Sequence, residues 1–221
     1  MSFSAKPQQI MTELNELKDP GETEFYERLF EKLDLDDEDL RGKEFYNCNF
    51  VQCNLRRTNF SNSVFKDCKF EKCDLSLIKI ENTVFQDLLI GQSKMVGVDW
   101  TISGLQKKPK SLNRLSFKGS DVSFSLFSSC NLNGISLVEC KAREADFSGA
   151  DLSGSKLIKT DFERAIFHKT NLSNTDFTNA TNYLINVCDN KVAKAKFSFP
   201  EVLDLLKIHG IAIEGFDKDL S

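Results

Sequence analysis

Four cysteines at regular spacing are the first candidates for chemistry in this chain of 221 residues. Cys48 and Cys53 are five residues apart, and Cys68 and Cys73 repeat the pair twenty residues later. Cysteine thiolates bind zinc, but this is not one of the usual spacings of structural zinc sites. The cysteines also fall on the small-residue pattern described below, which accounts for them without a metal. We therefore predict no metal site and no cofactor.

Acid–base catalysis has equally few candidates. It needs a base within reach of a nucleophile or a water, and the chain has only two histidines, His168 and His209. His168 directly follows an apolar residue that we expect to point inward, so its own side chain should face outward. His209 comes at the end of a predicted C-terminal helix. The glycines at Gly149 and Gly154 do not form a phosphate-binding loop, and we predict that the protein is not an enzyme.

A short basic segment is the third candidate. Residues 101–116 read TISGLQKKPKSLNRLS, and loops on rigid scaffolds often carry binding residues. The predicted partner-binding residues are Lys107, Lys108, Pro109, Lys110 and Arg114. A tolerated insertion explains the segment equally well, because extra loop length costs a folded protein little free energy.

Charge is unevenly distributed along the chain. The net charge is −4, but residues 1–39 alone carry −8, so residues 40–221 carry +4. Four basic residues in one loop, without interleaved aromatic residues, are a weak signal for nucleic acid. We predict a protein partner and no direct binding to nucleic acid.

Composition excludes several classes of protein. Hydrophobic residues make up 40% and charged residues 28% of the chain, which is typical of a folded protein and not of a disordered one. No stretch approaches 18 apolar residues, and the N-terminal MSFSAKPQQIMTEL lacks the basic and apolar regions of a secretory signal. We predict a cytoplasmic protein, without a membrane span and with reduced cysteines.

Apolar residues recur at every fifth position. All 13 such positions from Leu40 to Trp100 are apolar, and so are all 13 from Phe117 to Phe177. Twelve of the 19 phenylalanines lie in this column. A period of five fits neither a helix nor a strand, and it indicates a chain that turns a corner every five residues.

A second column, two residues before each apolar centre, consists of small residues. Ala, Ser, Thr, Cys or Val fills 20 of the 26 positions, and six of the seven cysteines are among them. Asn or Asp often directly precedes the centre, as at Asn49, Asn54, Asp146 and Asp151. One large and one small side chain on each side would point inward, and the others would face water.

This pattern, clearest in ADFSGADLSGSKL and TNLSNTDFTNAT, resembles that of the pentapeptide-repeat family. The resemblance covers roughly residues 38–180. It implies an all-β solenoid, a right-handed quadrilateral β-helix with four pentapeptides per coil. The 26 pentapeptides would then make 6.5 coils, a rod roughly 31 Å long at about 4.8 Å between stacked strands. Residues twenty apart would stack, for example Phe45 on Phe65 and Cys48 on Cys68.

The repeat divides the chain into five segments. We predict an acidic N-terminal extension at 1–37, repeat halves at 38–100 and 117–180, a basic loop or kink at 101–116, and a C-terminal cap at 181–221.

The N-terminal extension contains two amphipathic stretches separated by Asp19-Pro20-Gly21. The first has apolar residues at helical spacing, Ile10, Leu14 and Leu17. The second contains Phe25, Tyr26, Leu29, Phe30 and Leu33. We predict a helical hairpin that covers the open end of the β-helix, which would otherwise expose an aggregation-prone edge.

The C-terminal cap contains a predicted helix that begins with the capping-box pattern SFPE at 198–201 and stops at Gly210. A short extended segment follows it. The C-terminal cap has more apolar residues than are needed to cover one end of the solenoid, so we predict an isologous homodimer. The predicted dimerisation residues are Leu203, Leu206, Ile211 and Ile213.

The segment NYLINVCDNKVAKAKFSFPEVLDLLKIHGIAIEG resembles the C termini of a bacterial subset of the family. That subset includes the quinolone-resistance proteins and the microcin and albicidin immunity proteins, which dimerise through such a tail. The resemblance implies a non-enzymatic protein that binds DNA gyrase or topoisomerase IV and protects it from quinolones or peptide toxins.

Some members of this subset are thought to imitate duplex DNA by rod shape and negative charge. The +4 charge of residues 40–221 argues against strict mimicry here. One predicted side carries mixed charges, namely Lys118, Glu139, Lys156, Lys159 and Asp176.

Two alternatives remain open. One is a general protein interaction scaffold with an unrelated partner, for which the acidic N-terminal extension would be the binding element, because a repeat fold does not by itself determine function. The other is immunity to a toxin made by the same cell.

Overall fold

The computed structural model describes residues 7–106 and 114–211, and most of this part winds into a parallel β-solenoid of about eight turns. A helix, α1 (Pro7–Lys18), precedes the solenoid, and a short helix, α2 (Asp204–Lys207), follows it. The predicted quadrilateral β-helix is confirmed. It has more than the predicted 6.5 coils because the winding begins earlier and ends later than the repeat first indicated.

The strands are short because the chain turns a corner after each apolar centre. They are β1 (Glu24–Tyr26), β2 (Leu29–Glu31), β3 (Glu44–Tyr46), β4 (Asn49–Val51), β5 (Val64–Lys66), β6 (Lys69–Glu71), β7 (Val84–Gln86), β8 (Leu88–Gly91), β9 (Leu115–Lys118), β10 (Ser136–Val138), β11 (Asp176–Phe177) and β12 (Lys196–Phe197). One sheet has the order β1-β3-β5-β7, a second has β2-β4-β6-β8-β9-β10, and β11 pairs with β12. Every pairing is parallel, and isolated parallel bridges join the remaining sides of the coils.

The apolar centres form the core. Phe45 stacks on Phe65 with ring centroids 4.8 Å apart, and Phe65 stacks on Phe85 at 5.7 Å, as the twenty-residue period predicts. The rings of neighbouring sides meet edge to face, as Phe60 meets Phe65 at 5.1 Å. Each fully buried phenylalanine stabilises the fold by about 1.5–3 kcal/mol, so this column supplies much of the driving force.

The small column lies inside the corners and bonds one coil to the next. Thr160 donates its hydroxyl to the carbonyl of Leu137, 23 residues earlier, at 2.9 Å. The Cys48 thiol makes the same contact with the carbonyl of Phe25 at 3.3 Å. Six of the seven cysteines are therefore buried members of this column, which also holds the buried Leu88, Leu115 and Ile135.

The Asn or Asp before the centre has a local role. Asp176 Oδ1 accepts hydrogen bonds from the backbone N–H and the hydroxyl of Thr178, at 2.9 and 2.5 Å. These bonds hold the pKa of Asp176 below its ordinary value. Asp146 accepts the backbone N–H of Ser148 at 2.8 Å in the same way. Such side chains replace part of the backbone bonding that a longer strand would supply.

The residue two positions after each centre turns the corner with a positive φ. Gly149 and Gly154 do so at +67°, and Asn or Asp tolerates this region better than most residues. Two bulky apolar residues also occupy it: Leu77 at +61°, 49% exposed, and Phe124 at +60°, 54% exposed. The left-handed conformation costs a side chain with a Cβ roughly 1–2 kcal/mol.

The second helix of the predicted N-terminal hairpin is wrong. The stretch from Phe25 to Leu33 forms β1 and β2, and β1 pairs in register with β3. Phe25 and Phe30 belong to the five-residue column, which reaches back past Leu40, and both are buried. Amphipathic spacing of three and four residues within a five-residue repeat explains the helical interpretation. The solenoid thus begins at Glu24, inside the segment assigned to the extension.

The single helix α1 covers the first coil. Leu17 is fully buried, and ion pairs join Lys18 to Glu38 and Arg28 to Glu16. Lys43 occupies a small-column position, and its amine caps the end of the helix by donating to the carbonyl of Asp19 at 2.6 Å and to that of Glu22. The open sheet edge at this end is covered, as predicted, but by one helix.

The C-terminal cap is a single turn, η2 (Glu201–Leu203), that continues into α2. The helix was predicted, but its capping box does not form: the Ser198 hydroxyl accepts the backbone N–H of Asn179 instead. Gly210 turns with φ +70°, as expected of a helix stop. None of the helices in the described part of the chain is long and apolar enough to cross a bilayer.

Candidate functional site

The solenoid is interrupted between Gln106 and Arg114. Before this point, paired residues are 20 apart, whereas Ile90 pairs with Phe117, which lies 27 residues later. The interruption is therefore a seven-residue insertion in an otherwise regular winding.

The predicted loop or kink at 101–116 is wrong in its bounds. Leu105 is buried as the next apolar centre after Trp100, so the five-residue period continues through η1 (Gly104–Gln106). Gly104 donates its N–H to the carbonyl of Thr83 at 2.9 Å. A Cβ at Gly104 would lie 3.0 Å from that carbonyl oxygen, so the close approach favours glycine. The first six residues of the predicted loop thus belong to the winding.

Four of the predicted binding residues, Lys107, Lys108, Pro109 and Lys110, lie outside the described residues. Arg114 is described and exposed, and its carbonyl accepts the backbone N–H of Leu88 at 2.8 Å. This bond returns the chain to the solenoid, so Arg114 is anchored at the base of the insertion.

Two adjoining grooves lie beside the insertion. The larger, of about 600 Å³, is lined by Asn47, Asp67, Cys68, Lys69, Asp87, Leu89 and Arg114. The smaller, of about 300 Å³, is lined by Lys69, Phe70, Glu71, Leu89, Ile90, Gly91, Ser116 and Lys118. Lys69 and Leu89 line both grooves, and we call the two grooves together the central groove. It crosses the second to fifth coils next to Arg114.

One side of the solenoid is distinctly basic. We call this the basic face and define it as the stacked segments 28–32, 48–52, 68–72, 88–92, 115–119, 135–139, 155–159, 175–179 and 195–198. Its basic residues are Arg28, Lys32, Lys69, Lys72, Lys118, Lys156, Lys159 and Lys196. Its acidic residues are Glu31, Glu71, Glu139 and Asp176. The central groove lies in this face and at its edge.

The other three sides carry more acidic than basic residues over the described coils. The five residues of mixed charge that the sequence predicted to share one side do share it, because all of them lie on the basic face. Together with the other charged residues of the basic face, they give that side a net charge of +4 over the defined segments. A rod that imitated DNA would need continuous negative charge, and this side has the opposite sign.

The predicted dimerisation residues lie at the C-terminal end. Leu203 is half-buried, Leu206 is 39% exposed and Ile211 is 49% exposed, while Ile213 lies outside the described residues. Phe199 is also exposed on this cap. The end of the rod therefore presents several apolar side chains to solvent.

The groups considered for catalysis are in unpromising surroundings. His168 is exposed, as predicted, and its Nδ1 lies 2.6 Å from Asp189 Oδ2, a partner that the sequence did not indicate. Two other cysteines, Cys130 and Cys140, are buried, and burial raises the pKa of Cys130 to about 12 and that of Cys140 to about 11, so these two thiols are protonated near neutral pH. Among the described residues, no group of three or more His, Cys, Asp or Glu side chains is arranged to hold a metal ion.

The sequence did not predict the central groove. Leu89 is an apolar residue at the outward position directly before a centre, where Asn, Asp or Lys is usual, and this departure is a usable signal. Lys69 and Lys118 were not singled out as binding residues because their proximity depends on the 27-residue step across the insertion.

Comparison with known families matches both halves of the solenoid. A family model described as "Pentapeptide repeats (8 copies)" matches residues 116–157 and 145–181. A second, described as "Pentapeptide repeat region", matches residues 23–100. None of the curated proteins compared matches the sequence.

Solved structures of QnrB1, described as a plasmid-mediated fluoroquinolone resistance protein, have a similar fold. The full-length protein is 23% identical, with a TM-score of 0.65 over 85% of this chain and 90% of that chain. A trypsin-treated form is 24% identical, with a TM-score of 0.65 over 87% of this chain and 92% of that chain.

Proposed function

Because the chain belongs to the pentapeptide-repeat family, we propose that it is a non-enzymatic protein-binding solenoid that binds DNA gyrase or topoisomerase IV and protects it from quinolones or peptide toxins. The observation that carries the proposal is the fold shared with QnrB1 over at least 85% of both chains. The central groove, which lies beside Arg114, offers a contact surface on a rigid scaffold.

The mode of binding differs from imitation of DNA. A DNA-like rod would place negative charge along the side that enters the enzyme, whereas the side next to the insertion is basic. We infer that contact is made through residues 107–113 and Arg114. The alternative function is that of a scaffold with an unrelated partner. The basic face supports this alternative as well, because a positively charged surface can bind proteins that do not bind DNA.

The structure provides a clean loop deletion. Removing residues 107–113 changes the 27-residue step to 20 residues, which is the step found elsewhere in the solenoid. We expect the deletion variant to fold, with a free energy of unfolding within about 1 kcal/mol of that of the intact protein, because it restores the 20-residue step and a shorter connection changes the loop-closure entropy little. Circular dichroism and a urea titration measure this. A loss of several kcal/mol would show that the insertion is part of the core.

The deletion then tests the function. Gyrase supercoiling and cleavage-complex assays with a fluoroquinolone are run with the intact protein, the deletion variant and a length-matched variant carrying Lys107→Ser, Lys108→Ser and Lys110→Ser. The intact protein should relieve drug-stabilised cleavage, and the deletion variant should not. Equal protection by both would make the loop a tolerated insertion. No effect of the intact protein at micromolar concentration would overturn the gyrase proposal.

We also propose that the exposed C-terminal cap forms a homodimer. The substitution Leu206→Asp places a charge among the exposed apolar side chains of the cap and should dissociate it. Light scattering should give about twice the 25.1 kDa chain mass for the intact protein and the chain mass itself for the variant. The matched control, Leu77→Asp, changes an exposed leucine far from the cap and should leave the mass doubled. A monomeric intact protein would contradict the proposal.

A further inference from the structure

Four lysines of the basic face form no ion pair with a carboxylate of the described residues, although Glu139 lies near Lys118 and Asp176 near Lys156. Lys69, Lys72, Lys118 and Lys156 are exposed, and none lies within ion-pair distance of a carboxylate in residues 7–106 and 114–211. Arginines on a neighbouring side are paired instead, Arg57 with Asp36 at 2.8 Å and Arg143 with Asp161 at 2.6 Å. The positive charge of the basic face is therefore available to a partner.

The floor between these lysines is apolar. Leu89 is 45% exposed, and its neighbours across the sheet are Lys69 on one side and Ser116 on the other. Ser116 has a small side chain, so the surface is low there, while the Glu71 carboxylate lies over Gly91. Lys118, paired with Gly91, forms the opposite wall. An apolar side chain could cover Leu89 here while its neighbours reached the lysines.

The spacing of the lysines suggests an extended ligand. Lys69, Lys118 and Lys156 lie on every second coil, so they recur at about 9.6 Å along the rod if adjacent strands are about 4.8 Å apart. A peptide in the polyproline II conformation advances about 3.1 Å per residue and has three residues per turn, so every third side chain lies on the same face, about 9.3 Å from the next. A carboxylate at every third position of such a peptide would therefore meet successive lysines.

We propose that the basic face binds an extended acidic segment of a partner protein, with an apolar side chain of that segment over Leu89. The inference rests on the proposed protein-binding function, and it does not require that the partner be a topoisomerase. It assigns the contact to Lys69, Leu89, Lys118 and Lys156.

Nucleic acid fits this face less well. Glu71 and Glu139 interrupt the line of lysines, and the phosphates of a duplex are continuous, so they could not avoid both carboxylates. A protein segment places its acids individually and can present neutral residues there. Exposed Leu89 would also remain uncovered against a phosphate backbone, whereas a protein ligand buries it.

The probe for the test is a fluorescein-labelled twelve-residue peptide with glutamate at every third position and leucine among the other residues, measured by anisotropy at about 0.1 M salt. The first variant carries Lys69→Glu, Lys118→Glu and Lys156→Glu. The control carries Lys66→Glu, Lys79→Glu and Lys141→Glu, which gives the same net charge but changes the other three sides.

We expect the first variant to lose at least about tenfold in affinity and the control to lose less than about threefold, since screening limits charge effects to about 10 Å at 0.1 M salt. Leu89→Ser should weaken binding of this peptide about fivefold and should not affect a peptide with serine in place of leucine. Circular dichroism checks that all variants fold.

Three results would overturn the proposal. Equal loss in the two triple variants would mean that only net charge matters. Absence of binding at millimolar peptide would mean that the face has no such ligand. Tighter binding of a duplex DNA, lost only in the first variant, would assign the face to nucleic acid. Because no topoisomerase is present in this assay, its failure leaves the gyrase result standing, and failure of the gyrase assay leaves this one standing.

Discussion

Replacing Phe65 by alanine should lower the free energy of unfolding by about 3–5 kcal/mol. Phe65 is buried between Phe45 and Phe85, and its ring meets Phe60 edge to face. The ring therefore contacts three coils, and its removal leaves a cavity that these stacked rings cannot fill without moving the backbone. Urea denaturation followed by circular dichroism measures the loss.

The chain contains a matched control for this substitution. Phe124→Ala removes the same atoms at an exposed corner, where the positive φ is retained by either side chain. Its effect should remain within about 0.5 kcal/mol. A loss below about 1 kcal/mol for Phe65→Ala, or equal losses at both sites, would contradict the assignment of the ring column as the core.

Replacing Ala150 by leucine should cost about 1–3 kcal/mol by overpacking. Ala150 lies in the small column, is buried, and accepts the backbone N–H of Asn171 through its carbonyl at 2.9 Å. The residues above and below it in the column are Cys130 and Thr170, which are also buried. Three extra carbons there would press on backbone that is held by bonds between coils, so the coils would have to separate.

Ala150→Ser is the matched control, because serine occupies equivalent positions at Ser125 and Ser155 and donates to a carbonyl of the preceding coil there. Its effect should stay below about 1 kcal/mol. Thermal and urea unfolding of the two variants compare them directly. If leucine were tolerated as well as serine, position 150 would not require a small residue.

The five-residue column predicted a chain that turns a corner every five residues, and the resemblance to the pentapeptide-repeat family implied four such sides per coil. Together they assigned Phe45, Phe65 and Phe85 to one stack, because each centre makes the same contact in every coil. The five-residue period is harder to recognise at the N terminus, because the stretch that contains Phe25 and Phe30 also matches a helical spacing. Local amphipathicity cannot distinguish the two periods over nine residues, whereas pairing with the next coil can.

The site was less predictable than the fold. The sequence identified an interruption, but Leu105 shows that only the part between Gln106 and Arg114 departs from the winding. The central groove joins Lys69 to Lys118 across a change of register, so no fixed period relates them. Charges of one side became visible only after each pentapeptide was assigned to its side of the coil.

The basic face and the insertion lie next to each other on the solenoid. Arg114 lines the groove beside the basic face, so a partner held by residues 107–113 would also approach Lys69 and Lys118. The two proposed contacts are thus adjacent and could serve one partner. They remain separable in experiment, because the loop deletion leaves the basic face intact.

The direction of the bonds between coils determines how the rod would respond to mechanical load. Each coil is bonded to its neighbours by backbone hydrogen bonds that run along the rod, such as Asn59 to Glu38 and Lys79 to Thr58. Tension applied to the two ends would break the hydrogen bonds of one coil at a time and would not break those of all coils together. Each released coil of 20 residues would lengthen the chain by about 60–70 Å. Refolding would then proceed coil by coil from the coils that remained folded, because each coil packs only on its neighbours.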